Sequence, residues 1–468
     1  MSVNQKRGVS WTLLSTLSGA VLQTLQLAMT VRYLSTTEVG VLAIVNVLIA
    51  IANMLKDFGL SSFLIHRQEL SQREQSTLFW LTITIGIIIA SFVFSIAPLA
   101  SSFYAMPELE NLLYLSAINI LIIASCSQWQ ALMVKTFQFV GLAKIELITK
   151  LLGFISIVVY LKMGLGYFSP VFAMLTTNVA SFFLLFFVNR QRFTPSFHWE
   201  HQLIRQAFGY GMYQVGGQFL NQVRANLDTL LIGKFLGPSS VGLYSVAKEL
   251  ILRPSRLIQP VVSRFALPSF ATIQNNPNQQ GRLYIQTCTI LVGINGAIYT
   301  TLLILAEPIT YLLFGKSLSQ QVTPFLQILT MFGFIRCIGG PMGVIAQANG
   351  RTDIEFRWNV ISTVFFSMLL YLAVQESLLV TTLAMSLGQI IMTTLSYFLL
   401  LKPVCAVPFK SFLKLGMPVV VCMLIQATAF HLLTLDTIGF IALALISYVL
   451  YLSITFTTYK QLWVMLRR

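Results

Sequence analysis

The chain has 468 residues, of which 56% are hydrophobic and 10% charged, and its mean hydropathy is +0.78. A soluble domain carries charges at about a quarter of its positions, so this composition excludes a soluble protein and indicates a polytopic membrane protein. The formal net charge of +15 does not indicate a nucleic-acid partner, because the basic residues recur singly between apolar segments, as determinants of membrane topology do.

About fourteen segments reach the length of roughly 20 apolar residues that crosses a bilayer. They predict an all-α integral membrane fold. The first segment runs without a small-residue cleavage site, so it predicts a retained helix rather than a signal peptide. The predicted spans are residues 9–31, 39–58, 77–100, 111–133, 144–163, 167–189, 207–233, 240–265, 283–306, 322–348, 355–374, 377–401, 412–432 and 436–458.

The distribution of basic residues predicts the orientation. If the N-terminus is cytoplasmic, most of the 30 Lys and Arg residues fall on cytoplasmic segments, as the positive-inside rule requires. Both termini are therefore predicted to be cytoplasmic. No predicted loop is long enough to hold a soluble catalytic domain.

The polar, basic segment at residues 190–206 divides the chain, and we predict that it is a cytoplasmic linker that acts as a hinge. Residues 1–189 are predicted to form one six-helix lobe and residues 207–402 a second. Residues 403–468 would add two membrane helices and a cytoplasmic tail.

Two internal matches support this division. Val39-Gly40 matches Val241-Gly242, and GLAKIEL at residues 141–147 matches GRTDIEF at residues 350–356. Since six spans separate the copies, the halves share one orientation and predict a parallel pseudo-twofold repeat. Transporters with such repeats bind substrate between the halves, near the midplane of the membrane.

Charged residues inside apolar segments are the main functional signal. Each costs about 2.5–3.5 kcal/mol at the bilayer centre, so such residues are expected to face an interior cavity or one another. Lys56 and Asp57, at the end of the second span, form either a gate or an interfacial pair. The predicted substrate-binding residues are Arg224, Asp228, Lys248, Glu249, Arg253, Arg256, Arg336, Gln218, Asn221 and Asn46.

Two alternatives stay open within this set. Arg224 and Asp228 share one helical face. They form either a structural ion pair or a functional pair, in which Arg224 is a substrate-binding cation and Asp228 is its counter-charge or a protonatable coupling carboxylate. Arg253 and Arg256 either line the cavity or extend to its inner rim. The matching positions of the first half are nearly uncharged, which predicts a cationic site carried by the second half.

Three stretches resemble the polysaccharide-transporter family of the multidrug/oligosaccharidyl-lipid/polysaccharide flippase superfamily, and within it exporters of the colanic-acid type. They are RANLDTLLIGKFLGPSSVGLYSVAKEL at residues 224–250, DFGLSSFLI at residues 57–65, and STLFW with APLASSFY within residues 76–104. The resemblance implies a two-lobed bundle in the bacterial inner membrane. It also implies a substrate, an undecaprenyl-diphosphate-linked oligosaccharide that is moved to the periplasmic leaflet by alternating access.

The expected function is therefore a flippase for exopolysaccharide or O-antigen repeat units, which is not an enzyme. A cation-coupled multidrug antiporter is one alternative, although the surplus of Lys and Arg argues against it. A membrane polysaccharide polymerase or ligase is another, although it typically needs a long periplasmic loop. The expected partners are the lipid-linked oligosaccharide, membrane lipids, and polymerase and chain-length proteins. No cofactor or metal is expected, and H⁺, Na⁺ or the membrane potential are the candidate energy sources.

Overall fold

The computed structural model describes residues 3–67 and 70–432, together with Ile446 and Val449. Over these residues all regular structure is helical, which confirms the all-α fold class. The helices are α1 (Val3–Tyr33), α2 (Thr36–Asp57), α3 (Leu60–His66), α4 (Gln72–Tyr104), α5 (Glu108–Lys135), α6 (Phe139–Lys162), α7 (Phe168–Asn189), α8 (His201–Phe235), α9 (Gly237–Thr272), α10 (Pro277–Ile304), α11 (Ala306–Phe314), α12 (Lys316–Ala348), α13 (Thr352–Val374), α14 (Leu378–Ser396), which continues into a π-helical turn (Tyr397–Leu401), and α15 (Phe409–Leu432).

The predicted spans up to residues 412–432 each coincide with a helix, while the last predicted span, 436–458, lies outside the described residues apart from Ile446 and Val449. Among the described helices, nine segments are long and apolar enough to cross a membrane. Helices α8 and α9, which carry most of the candidate charges, are not among the nine. The number of fourteen spans therefore stays a prediction.

Local sequence explains where several helices begin and end. Ser35 begins α2 and Ser71 begins α4, each with a glutamate three residues later, and both pairs form reciprocal capping boxes. Helix α2 ends at Asp57, and the next two residues, Phe58 and Gly59, have positive φ angles of 42° and 70°. Glycine adopts such positive φ values without steric strain, so the chain turns there and begins the short helix α3, which was not predicted.

The chain divides into two compact units, residues 1–242 and residues 243–468. In the first unit α4 packs against α5, α6 packs between α1 and α7, and α2 packs against α5 and α8. The boundary thus lies beyond the predicted linker at residues 190–206, because α8 packs against α2 and α4. The predicted lobes, 1–189 and 207–402, and the extension 403–468 stay proposals.

In the second unit α12 packs against α10, α11 and α14, while α13 packs against α14, and α15 packs against α10. A reciprocal amide pair joins α10 to the end of α12, since Gln280 Nε2 and Asn349 Nδ2 each donate to the other's amide oxygen at 3.2 Å. Such an amide–amide hydrogen-bonded pair is expected in a membrane protein, because amide groups shielded from water need partners within the protein.

The segment before α8 is held against the first turns of α4. Trp80 Nε1 donates to the carbonyl oxygen of Ser196 at 3.0 Å, and the backbone N–H of Ser196 donates to Ser76 Oγ at 3.1 Å. The Trp80 ring also stacks on Phe197, with ring centroids 4.4 Å apart. The predicted hinge is therefore fastened to α4 along this stretch.

Candidate functional site

Arg224 and Asp228 lie one turn apart on α8, within the first unit. Asp228 is buried, and its Oδ1 accepts from the backbone N–H of Thr229 at 2.8 Å. Arg224 is half-buried, and its guanidinium donates to Asn221 Oδ1 at 3.4 Å. Asn221 and Gln218 on the same helix are exposed. Their role in substrate binding stays a prediction.

Glu249 joins two arginines on α9, in the second unit. Its Oε1 lies 3.7 Å from Arg253 Nη2 and 2.7 Å from Arg256 Nη1. The spacing of four and seven residues places all three side chains on one helical face. Since one carboxylate meets two guanidinium groups, the cluster keeps a net positive charge. Lys248 beside it is buried, with Nζ 5.9 Å from the centroid of the Tyr244 ring.

Arg336 on α12 lines a cleft of about 410 Å³ that lies wholly within the second unit, between α9, α10 and α12. The polar side chains that share this cleft are those of Ser255, Gln259 and Asn295. The sequence singled out Arg336 but missed Asn295. Asn295 lies in the middle of an apolar segment between Gly293 and Gly296, and an amide at that depth was the available signal.

Lys56, one half of the predicted gate, is enclosed by protein in the first unit and is only 3% exposed. Its Cγ lies 4.0 Å from where a Cβ of Gly86 on α4 would stand. The Asp57 carboxylate accepts a hydrogen bond from the Ser61 hydroxyl. No ion pair of Lys56 occurs among the described residues. The gate stays a prediction, as does Asn46, which is exposed on α2.

Two glycines of the sequence repeat meet in the first unit. A Cβ on Gly40 would overlap the carbonyl oxygen of Pro238, and a Cβ on Gly242 would overlap the carbonyl oxygen of Thr36. Thr36 Oγ1 and Ser239 Oγ are hydrogen-bonded at 3.0 Å beside them. Only residues without a side chain permit this approach of two helix N-termini.

No metal-binding cluster of three or more His, Cys, Asp or Glu side chains occurs within the described parts of the chain. All five cysteines are free. Burial raises the pKa of Cys405, in the connection before α15, to about 12, so its thiol is protonated at neutral pH and is a poor nucleophile.

The fold is shared with membrane transporters and flippases. It superposes on the lipid II flippase MurJ in an inward closed conformation with a TM-score of 0.76, at 14% identity over 96% of this chain and 99% of that one. It also resembles an inward-facing multidrug resistance MATE family transporter with a TM-score of 0.60, at 14% identity over 82% and 96% of the two chains.

Residues 29–323 match the model of the polysaccharide biosynthesis protein family, and the chain belongs to this family. It is 31% identical to the amylovoran biosynthesis protein AmsL of Erwinia amylovora over 76% of this chain and 92% of that protein. It is 28% identical to the lipopolysaccharide biosynthesis protein WzxC of Escherichia coli K12 over 89% and 86% of the two chains. The resemblance that the sequence indicated is thereby confirmed.

Proposed function

We propose that the protein is a flippase that moves an undecaprenyl-diphosphate-linked oligosaccharide across the bacterial inner membrane by alternating access, for the export of exopolysaccharide or O-antigen. Family membership supports this function, since the related proteins are named for the biosynthesis of amylovoran and lipopolysaccharide. The fold supports it as well, since it is shared with a lipid II flippase. Both termini would be cytoplasmic, and polymerase and chain-length proteins would use the translocated unit.

The charge balance of α8, α9 and α12 is the observation that carries the proposal. Charges inside membrane helices are retained mainly where they serve a function. The cations outnumber the carboxylates, and Glu249 is already shared between two arginines. A diphosphate needs such a surplus, and arginine offers it paired, charge-assisted hydrogen bonds. Among the candidate substrate-binding residues of these helices, the cations are Arg224, Lys248, Arg253, Arg256 and Arg336, and the carboxylates are Asp228 and Glu249.

The same charge balance argues against a drug antiporter. The fold is shared with a multidrug resistance transporter, but a cavity for cationic drugs would place carboxylates where this chain places guanidinium groups. Drug-resistance assays in a strain that lacks the gene would reveal such an activity.

Replacing Arg224 by Ala tests the proposal. Truncating one partner of a desolvated charge pair costs about 2–5 kcal/mol, and 1.4 kcal/mol is a factor of ten. We therefore expect Arg224→Ala to lower the export of surface polysaccharide at least tenfold in a strain that lacks the chromosomal gene, with partial rescue by Arg224→Lys.

Arg282→Ala is the matched control, because Arg282 is an exposed arginine near the start of α10, and it should leave export unchanged. Membrane levels of each variant are compared by immunoblot. Full export by a well-expressed Arg224→Ala variant would contradict the cationic site. Failure of the purified wild-type protein to move undecaprenyl-diphosphate-linked oligosaccharide across a vesicle membrane would contradict the function itself.

A further inference from the structure

The cleft between α9, α10 and α12 contains a buried polar atom with no partner in the described structure. Asn295 is 1% exposed. Its Nδ2 donates to the carbonyl oxygen of Leu291 at 2.9 Å, which fixes the orientation of the amide. Its Oδ1 is then the free end, and it has no hydrogen-bond partner among the described residues. Buried carbonyl oxygens are almost always hydrogen-bonded, so a donor from outside the chain is expected here.

The other polar groups of the cleft include hydrogen-bond donors. The guanidinium of Arg336 only donates hydrogen bonds, and the amide of Gln259 both donates and accepts. Ser255 Oγ lies 2.9 Å from Tyr299 Oη, which in turn donates to the carbonyl oxygen of Ile251. In the cleft Arg336 thus only donates, Asn295 Oδ1 only accepts and Gln259 can do either, while hydrogen bonds hold Ser255 in its position.

This arrangement selects among ligands by their hydrogen-bonding groups. A diphosphate esterified at both ends offers only acceptors and would leave Asn295 Oδ1 without a donor. A metal ion would suit Asn295 but would be repelled by Arg336. A sugar hydroxyl donates and accepts at the same atom, so it satisfies both residues. The apolar walls, which include Leu291 and Val344, fit the C–H faces of a pyranose ring.

We propose that this cleft is a saccharide subsite that receives one sugar ring of the transported molecule, with Asn295 Oδ1 accepting from a ring hydroxyl and Arg336 donating to a neighbouring oxygen. This inference rests on the proposed function and assigns Arg336 to the sugar instead of the diphosphate, so that the other four candidate cations remain for the diphosphate.

The test is the binding of purified, full-length protein to three probes: undecaprenyl diphosphate, and the same lipid linked to glucose or to galactose. We expect the wild-type protein to bind at least one hexose-linked lipid about threefold to tenfold more tightly than the bare lipid, which is the usual contribution of one hydrogen bond. Asn295→Leu is expected to bind all three probes with equal affinity.

Stability separates a binding role from a structural one. Replacing a half-satisfied buried amide by an apolar side chain of similar size is expected to leave the melting temperature unchanged or higher. Asn119→Leu is the control variant. Asn119 on α5 is also buried and half-satisfied, but its Oδ1 accepts from the side chain of Asn178 at 2.8 Å, so its replacement leaves that donor without its acceptor. It should lower the melting temperature and keep the preference for the hexose-linked lipid.

Each outcome decides between the two proposals. A wild-type protein that binds the bare lipid and the hexose-linked lipids equally would overturn the saccharide subsite and leave the flippase function standing, with only water in the cleft. A sugar preference that survives in Asn295→Leu would overturn the role of Asn295. A wild-type protein that binds none of the three lipids would overturn the proposed function.

Discussion

A methyl group added at Gly40 is expected to push α2 away from the N-terminus of α9. A Cβ there would lie 2.6 Å from the carbonyl carbon of Pro238 and 3.0 Å from the amide nitrogen of Gly242, and it would overlap the Pro238 carbonyl oxygen. The Pro238 contact is to backbone and not to a flexible side chain. No rotamer change can relieve it, so the backbones themselves must separate.

The size of the effect follows from these distances. Ordinary van der Waals contact begins at 3.4 Å. The helix ends must therefore move apart by at least roughly 0.8 Å at the carbonyl carbon, and by more at the overlapping carbonyl oxygen. Inserting a methyl group into a well-packed interior costs about 1–3 kcal/mol, and close approach of small residues is a main source of helix association in membranes. We expect Gly40→Ala to lower the free energy of unfolding by about 1–3 kcal/mol.

Unfolding of the purified protein in detergent, measured by titration with a denaturing surfactant, provides the assay. Gly209→Ala on α8 is the matched control, because a Cβ there would meet nothing within 4 Å and alanine favours a helix over glycine by about 0.5–1 kcal/mol. Gly242→Ala should resemble Gly40→Ala, and the double variant should lose less than the two single losses together, because both methyl groups open the same contact. The reasoning is refuted if Gly40→Ala is as stable as Gly209→Ala.

Two further predictions concern Lys56 and the segment before α8. Lys56→Met should keep or raise the melting temperature, because it replaces a buried charged side chain that is 3% exposed by an apolar side chain of similar length. If Lys56 belongs to a gate, the same variant should lower export. Normal export by this variant would exclude that role. Trp80→Ala removes the hydrogen bond to Ser196 and should make trypsin cleave after the exposed Arg192 several times faster in inside-out membrane vesicles. Trp199→Ala, at an exposed tryptophan, is the control, and equal cleavage of both variants would contradict the fastening of this segment.

The helices could be predicted because hydropathy over about 20 residues is a local property of the sequence. The residue at which a helix begins or ends depends instead on capping motifs that lie next to the apolar segment. Helix α4 begins at Gln72, before the predicted span at residues 77–100, because the capping box of Ser71 and Glu74 extends it. The capping-box pattern is visible in the sequence, so the start of α4 at Gln72 could have been predicted from it.

The candidate site was predictable only where its residues share a helix. The contact of Glu249 with two arginines follows from helical spacing alone. The surroundings of Asn295 and Lys56 do not follow from helical spacing. Each of these side chains is enclosed by residues of other helices, and the packing of those helices is a long-range property of the fold. The placement of α8 was unpredictable for the same reason. Its position in the sequence assigned it to the second half, whereas in the structure it packs against α2 of the first unit.

The contact of the two glycines gives physical meaning to the sequence repeat. The match of Val39-Gly40 with Val241-Gly242 pairs Gly40 with Gly242, and the same alignment pairs Thr36 with Pro238. In the structure Gly40 meets the Pro238 carbonyl and Gly242 meets the Thr36 carbonyl. Each contact is thus the image of the other, as at a twofold axis, where residue i meets j and j meets i. A chance match of two residues would not produce reciprocal backbone contacts, so the repeat is also a local symmetry of the fold at this point.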